Sequence, residues 1–215
     1  MKILIIDDHA IFRAGLKQLL LEELSGAKVD EAGDGVTALN MIRDKKWDII
    51  LLDINLPGKN GIEILKGIKQ VNCKQPALML SMYSEEQYAV RAMRAGAAGY
   101  LTKDVLPDEL IKAIRQVAEG RRYINPSLAE VLATHLYTAN HEDEPHKLLS
   151  DREYDIFRKL SSGKTVSEIA GLLLLSVKTV STYRSRILNK MNLKNNAELM
   201  QYAVINNLHI RNIDQ

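Results

Sequence analysis

The chain has a single cysteine, Cys73, among 215 residues. No internal disulfide can form, which suits a reducing cytoplasm, and Cys73 itself reads as filler in a loop. Long apolar runs are also missing. The longest nearly continuous one, Leu172 to Leu175, is far short of the ~20 residues of a membrane span. The aliphatic residues near the start run at once into acids, so no signal-peptide core is expected and the location expected is cytoplasmic, with no membrane partner. The five histidines (His9, His135, His141, His146, His209) have no paired spacing with other ligands, which argues against a transition-metal site. Low-complexity segments and internal repeats are absent as well. What remains, 46% hydrophobic and 26% charged residues, is an ordinary globular composition for one or two domains with a real core.

Charge divides the chain where composition does not. Residues 1–140 carry 18 basic and 18 acidic side chains, residues 141–149 carry a net −2, and residues 150–215 carry 10 basic against 6 acidic side chains. A neutral first part and a basic last part point to nucleic acid at the C-terminal end.

Periodicity divides it in the same way. Short apolar runs at Lys2–Ile6, Lys28–Ala32, Asp48–Leu52, Ala77–Leu80 and Gly99–Leu101 alternate with amphipathic stretches near 10–24, 35–45, 61–71, 85–95 and 106–119. Five strand–helix units in about 120 residues predict a parallel sheet with helices on both faces and right-handed crossovers. Asn125-Pro126-Ser127 starts a further helix to about 139. ANHEDEPHK then breaks every pattern, as a linker does. Beyond it, Leu149–Leu208 reads as four helices without a strand. The expectation is an α/β protein: a (βα)5 doubly wound domain over 1–122, a linker with one helix over 123–148, and a small all-α domain over 149–215.

The first strand ends in Asp7 and Asp8, whose charges at about 4 Å and an effective dielectric near 20 repel by ~4 kcal/mol. Ligand crevices of open α/β sheets lie at such strand ends. The third strand, DIILLD, ends in Asp53, and strands one and three can be neighbours, so three carboxylates would meet. A divalent cation would relieve them, and an all-oxygen set with few protein donors favours Mg²⁺. Strand four leads to Ser81, a hydroxyl donor, and strand five to Thr102 and Lys103, a point cation suited to a phosphoryl group.

At these residues (the acid pair at 7–8, D-x-x-x-P at 53–57, Ser81 and AGAAGYLTK at 95–103) the first 122 positions resemble the receiver domain of two-component response regulators. The resemblance implies that Asp53 accepts a phosphoryl group from a sensor histidine kinase. It implies Mg²⁺ on Asp8 and Asp53, with Asp7 acting through water and the main-chain carbonyl of Asn55 as a further ligand. Ser81 and Lys103 would hold the phosphoryl oxygens, and Tyr100 would be the aromatic that changes rotamer when Ser81 moves. The acid pair then holds the ion that makes a carboxylate usable as a nucleophile.

In the basic part, a helix from Val177 to Met191 would place Val177, Val180, Ile187, Leu188 and Met191 on one face, at 100° per residue. Its other side carries Lys178, Thr182, Ser185, Arg186 and Asn189, with Thr179 and Ser181 at the margins, Lys190 near the end, and no acid over 177–190. Cations interleaved with short hydrogen-bonding groups are what a major-groove recognition helix requires. Ser150 and Ser176 are N-caps and Gly163 a C-cap by composition. Arg184 falls near the apolar face, with its stem packed and its head reaching sideways. The order of elements resembles the LuxR-type helix-turn-helix of NarL/FixJ-class regulators, carried by Leu149, Arg152-Glu153, Gly163, Glu168-Ile169-Ala170, Ser176, Lys178-Thr179-Val180, Ile187, Lys190 and Ala197. Tyr183 stands where the family usually has histidine and Asn196 where it often has arginine.

The reading that unites both parts is a phosphorylation-gated DNA-binding transcriptional regulator, acting on double-stranded promoter DNA as a dimer. Its chemistry would be confined to self-phosphorylation and dephosphorylation at Asp53. Two alternatives stay open: a DNA-binding regulator whose receiver is phosphorylation-independent, and a Mg²⁺-dependent phosphohydrolase. The second lacks the usual second acid, since position 55 is Asn.

Overall fold

The structure is a computed structural model that describes residues 1–138, 144–206 and 208. The chain divides into two compact units, residues 1–139 and 140–215.

In the first unit the strands are β1 (Lys2–Ile6), β2 (Lys28–Ala32), β3 (Ile49–Asp53), β4 (Ala77–Ser81) and β5 (Gly99–Thr102). They form one sheet in the order β2-β1-β3-β4-β5, with every pairing parallel. Ile3, Leu4, Ile5 and Ile6 are fully buried because helices cover both faces, as an unbroken aliphatic run requires. The expected third strand, Asp48–Leu52, is shifted by one residue. The ladder with β4 reaches Asp53, which lies opposite Leu80, so the acid is the last residue of the strand. Likewise Ser81 pairs with Thr102 inside the sheet.

The helices between strands are α1 (Ala10–Glu23), α2 (Gly35–Asp44), α3 (Gly61–Val71), α4 (Glu85–Arg94) and α5 (Pro107–Ala118). Asp34 caps α2 through the amides of Val36 and Thr37, and Asn60 caps α3 through that of Ile62. Gly61 starts α3 against the strand: a Cβ there would lie 2.0 Å from the Asp53 carbonyl oxygen and 2.8 Å from Ile54 Cα. Gly61→Ala therefore has to move backbone at the site, and we expect it to destabilise the unit by about 1–3 kcal/mol or more, read as a lower urea midpoint. An unchanged midpoint would show that the loop yields freely.

A sixth helix, α6 (Pro126–Thr138), packs on α4 within this first unit. The chain reaches it through Tyr123, which is buried, gives its amide to Ala98 O and its hydroxyl to Glu109 Oε1. The compact unit therefore runs past residue 122. The linker residues 139–143 and the terminal residues 209–215 lie outside the described part.

The second unit begins with a 3-10 turn, Pro145–Leu148, followed by α7 (Asp151–Ser161), α8 (Val166–Leu173), α9 (Val177–Lys190) and α10 (Asn196–Ile205). The four expected helices are present. Ser150 and Thr165 each close a capping box, with Glu153 and Glu168, and Ser176 accepts from the Thr179 amide. Gly163 sits at φ +86° after α7, the left-handed conformation that only glycine adopts at low cost. Val180, Ile187, Leu188 and Met191 are buried under α9, but Val177 is 51% exposed. The first turn of α9 overhangs the core that the rest of the helix covers.

Candidate functional site

The three acids converge because β1 and β3 are neighbours and both end at the same edge of the sheet. Carboxylate oxygens of Asp7, Asp8 and Asp53 and a ring nitrogen of His9 all lie within 4.8 Å of one another. Asp7 and Asp53 are buried, whereas Asp8 and His9 are exposed at the rim. Lys103 comes in from the end of β5 and binds both inner acids, with Nζ 2.6 Å from Asp7 Oδ2 and 2.8 Å from Asp53 Oδ2. Its ammonium also lies over the Phe12 ring, 4.6 Å from the centroid.

One lysine faces three carboxylates, so the cluster keeps a net charge near −2 when all are ionised. Burial pushes the Asp53 carboxyl up to about 6, and the charge of Asp7 adds to this, against the opposing pull of Lys103 and the Asn55 amide. Burial alone would lower Lys103, but Asp53 and Asp7 outweigh it and hold the ammonium above its ordinary range. Asp53 Oδ1 is buried and has no hydrogen-bond partner among the described residues. A buried carboxylate oxygen without a partner is costly. The cluster thus lacks two units of positive charge and one acceptor's partner, which is the deficit a divalent cation fills.

Ser81 is fully buried at the end of β4, and its Oγ accepts the Tyr83 amide at 3.0 Å. Tyr100, also fully buried, donates its hydroxyl to the Tyr83 carbonyl at 2.8 Å. The main chain of Tyr83 therefore joins Ser81 to Tyr100, and a movement of either disturbs that link. The sequence set His9 aside with the other histidines as having no paired spacing with ligands, which the structure corrects, and Phe12 went unnoticed. The local signal was there, since His9 directly follows the acid pair; its amide and Nδ1 both contact Asp7 Oδ1, at 2.9 and 3.2 Å, and Nδ1 lies 2.9 Å from Asp8 Oδ1. Phe12 gave no such signal.

In the second unit, Lys178, Ser181, Thr182, Ser185, Arg186, Asn189 and Lys190 are exposed along α9, with Thr179 half-buried. The hydroxyls of Thr182 and Ser185 bond back to the carbonyls of Lys178 and Ser181, and Thr179 Oγ1 is 2.7 Å from Ser176 Oγ. Two cations are engaged within the unit. Lys190 Nζ lies 2.7 Å from Glu153 Oε2, the same oxygen that caps α7, and Arg184 Nε donates to Asn196 Oδ1 at 2.6 Å. These contacts tie the C-terminal end of α9 to α7 and its middle to α10. Asn196, a departure from the family pattern, is thus the partner of Arg184.

Comparison with known proteins matches both units. Residues 3–115 match the response regulator receiver domain and residues 147–203 the bacterial regulatory proteins of the luxR family. Response regulator UvrY of Escherichia coli K12 is 36% identical over 203 residues, 94% of this chain and 93% of that one. Response regulator GacA of Pseudomonas aeruginosa is 35% identical over 203 residues, covering 94% and 95%. Among solved structures, a LuxR-family two-component response regulator from Aurantimonas sp. SI85-9A1 aligns with TM-score 0.59 and 36% identity over 63% of this chain and 97% of its own. RcsB of Salmonella enterica serovar Typhimurium, bound to promoter DNA with the phosphomimetic BeF3−, aligns with TM-score 0.59 and 25% identity over 94% and 97%. Among the described residues no helix is long and apolar enough to cross a membrane. The chain belongs to the two-component response regulators of the NarL/FixJ class, transcriptional regulators that join a receiver domain to a LuxR-type helix-turn-helix.

Proposed function

We propose that Asp53 is the residue phosphorylated by a sensor histidine kinase, and that this event gates promoter binding through α9. The observation that carries the reading is the state of Asp53: a buried carboxylate with one oxygen on Lys103 and the other without a partner, in a cluster short of positive charge. The residues present fit Mg²⁺. Asp8 and Asp53 would hold it directly, Asp7 through water because Lys103 occupies its Oδ2, and Asn55 through its carbonyl. When bound, the ion supplies charge that neutralises the phosphoryl oxygens during transfer.

An Asp53 oxygen attacks the phosphorus of the kinase phosphohistidine. An O–P bond forms as the N–P bond breaks, and the electron pair returns to the imidazole nitrogen, which takes up a proton. Lys103 then pairs with a phosphoryl oxygen in place of one carboxylate, and the Ser81 hydroxyl donates to another. The Ser81 oxygen accepts the Tyr83 amide, so a shift of Ser81 towards the phosphoryl group pulls on the Tyr83 main chain. Because Tyr100 holds the carbonyl of the same residue, its ring is the next to respond. Enzymatic turnover beyond acquiring and losing this phosphoryl group is not part of the reading.

A lone helix-turn-helix reads few base pairs, so paired half-sites and a homodimer follow. The surface near α4, β5 and α5 carries Arg91, Arg94, Asp104, Asp108, Lys112 and Arg115, a mixed set that could pair with itself across a two-fold axis. However, α6 lies on α4 and Arg94 Nη2 is bonded to His135 Nε2 at 2.8 Å. Asp104, Asp108 and Lys112 are exposed on the α5 side, and that side is the freer half of the surface. Sedimentation of the Mg²⁺-loaded protein with and without beryllofluoride, alongside operator titration, tests the gate. Tighter self-association and operator binding with beryllofluoride are expected. Both constants unchanged would favour the phosphorylation-independent alternative.

A further inference from the structure

At the opposite edge of the sheet from the acids, a pocket of about 400 Å³ opens between the C-terminal ends of α3, α4 and α5 and the starts of β4 and β5. Its walls carry Lys69, Lys74, Arg94, Arg121 and Arg122, and no carboxylate. Cations at helix C-termini are common, because they answer the local dipole, and three of the five have such local duties. Lys69 donates to Gln75 O at 2.7 Å, Arg94 bonds His135, and Arg121 pairs with Glu119. Lys74 and Arg122 have no ion pair among the described residues and are exposed.

The cations also work against one another. Burial lowers the Lys69 pKa; the neighbouring Cys73 acts the other way, and Arg122 adds a smaller repulsion. Lys69 is nonetheless held in place. Its stem packs over Gly96, where a Cβ would meet Lys69 Cε at 3.1 Å, and Gly96 takes φ +100°. The floor is small and apolar, formed by Pro76, Ala97 and Val117. Five cations gathered about one small pocket with no carboxylate in its lining, two of them without an ion pair among the described residues, in a volume within the range of small-molecule sites, suit an anionic ligand.

We propose that this pocket binds a small molecule bearing a pyrophosphate-type group, inorganic or esterified to an apolar part, with Lys69, Lys74 and Arg122 holding the oxygens. Lysine and arginine are the side chains suited to phosphate oxygens. The pocket lies beyond the N-terminal ends of β4 and β5, whereas Asp53, Ser81 and Lys103 lie at the C-terminal ends of their strands. An occupant there is separate from the phosphorylation site.

Cys73, the chain's sole cysteine, is exposed in the pocket wall and reports on it alone, whatever anions the C-terminal unit attracts. The test is the rate at which uncharged iodoacetamide alkylates Cys73 in the full chain, in Mg²⁺-free buffer, as inorganic pyrophosphate or ADP is added. The expected result is a saturable, severalfold slowing that sodium chloride at equal ionic strength does not reproduce and that is lost in Lys74→Ala/Arg122→Ala. Tighter protection by ADP would identify an esterified ligand that uses the floor, and tighter protection by pyrophosphate an inorganic one. A rate that neither anion saturates, or saturation equal in the double variant, would overturn the proposal.

Discussion

Asp53→Asn is expected to abolish labelling by acetyl phosphate in Mg²⁺ while leaving the fold intact and, at neutral pH, at least as stable as the parent. Loss of labelling follows from the loss of the nucleophile, since Asp7 is already engaged by Lys103 and His9 and Asp8 lies at the rim. The stability argument follows from proton linkage in metal-free buffer. Folded Asp53 keeps its proton up to about pH 6, against an ordinary value of 3.8. Between these values the folded chain binds more protons than the unfolded one, so Asp53 leaves stability unharmed below about 3.8 and progressively costs stability as pH rises towards 6. The shift of about two units corresponds to at most ~3 kcal/mol. Asn has no such cost, and Lys103 retains Asp7. Urea unfolding should therefore show the variant gaining on the parent by about 1–3 kcal/mol between pH 4 and pH 7. Labelling of the variant at another residue would sink the assignment, and a stability gap that shrinks over this pH range would show that Asp53 is not buried as a reluctant charge.

The second large effect concerns DNA. We expect operator affinity to fall with salt at a logarithmic slope set by Lys178 and Arg186, and hardly at all by Lys190. Lys178 and Arg186 are exposed and have no ion pair among the described residues, whereas Lys190 is held by Glu153. Two phosphate contacts per subunit give a dimer a slope of about −3.6, or a loss of about a hundredfold between 50 and 200 mM salt. If Lys190 also reached phosphate the slope would be about −5.4. Fluorescence anisotropy across salt concentrations separates these cases. Lys178→Ala should flatten the slope by about 1.8 per dimer, and Lys190→Ala should leave it nearly unchanged. Equal flattening by both variants would show that Lys190 leaves Glu153 on binding. Thr182 and Ser185 have only to turn their hydroxyls from the helix carbonyls to base edges, so replacing either should alter sequence preference by about 1–3 kcal/mol per base pair.

The sequence by itself determined every regular element of the first unit to within a residue or two, because most strands centre on an apolar run, the edge strand β2 (KVDEA) excepted, and the helices are periodic. It also determined that Asp7, Asp8, Asp53 and Lys103 meet and that Ser81 lies at the same edge, since all stand at or just past the ends of strands of one parallel sheet. The four output helices and the exposed face of α9 were legible for the same reason, from periodicity and caps. Only the tertiary structure decided which groups are occupied. Lys190 meets a glutamate 37 residues away, and Arg184 an asparagine 12 residues away, pairings that no local pattern encodes. The same holds for the pocket at the far edge of the sheet. Each of its five cations reads, in sequence, as an ordinary charge near a helix end. Only the convergence of α3, α4 and α5 turns them into one site, because electrostatic repulsion depends on distance in space and not on separation along the chain.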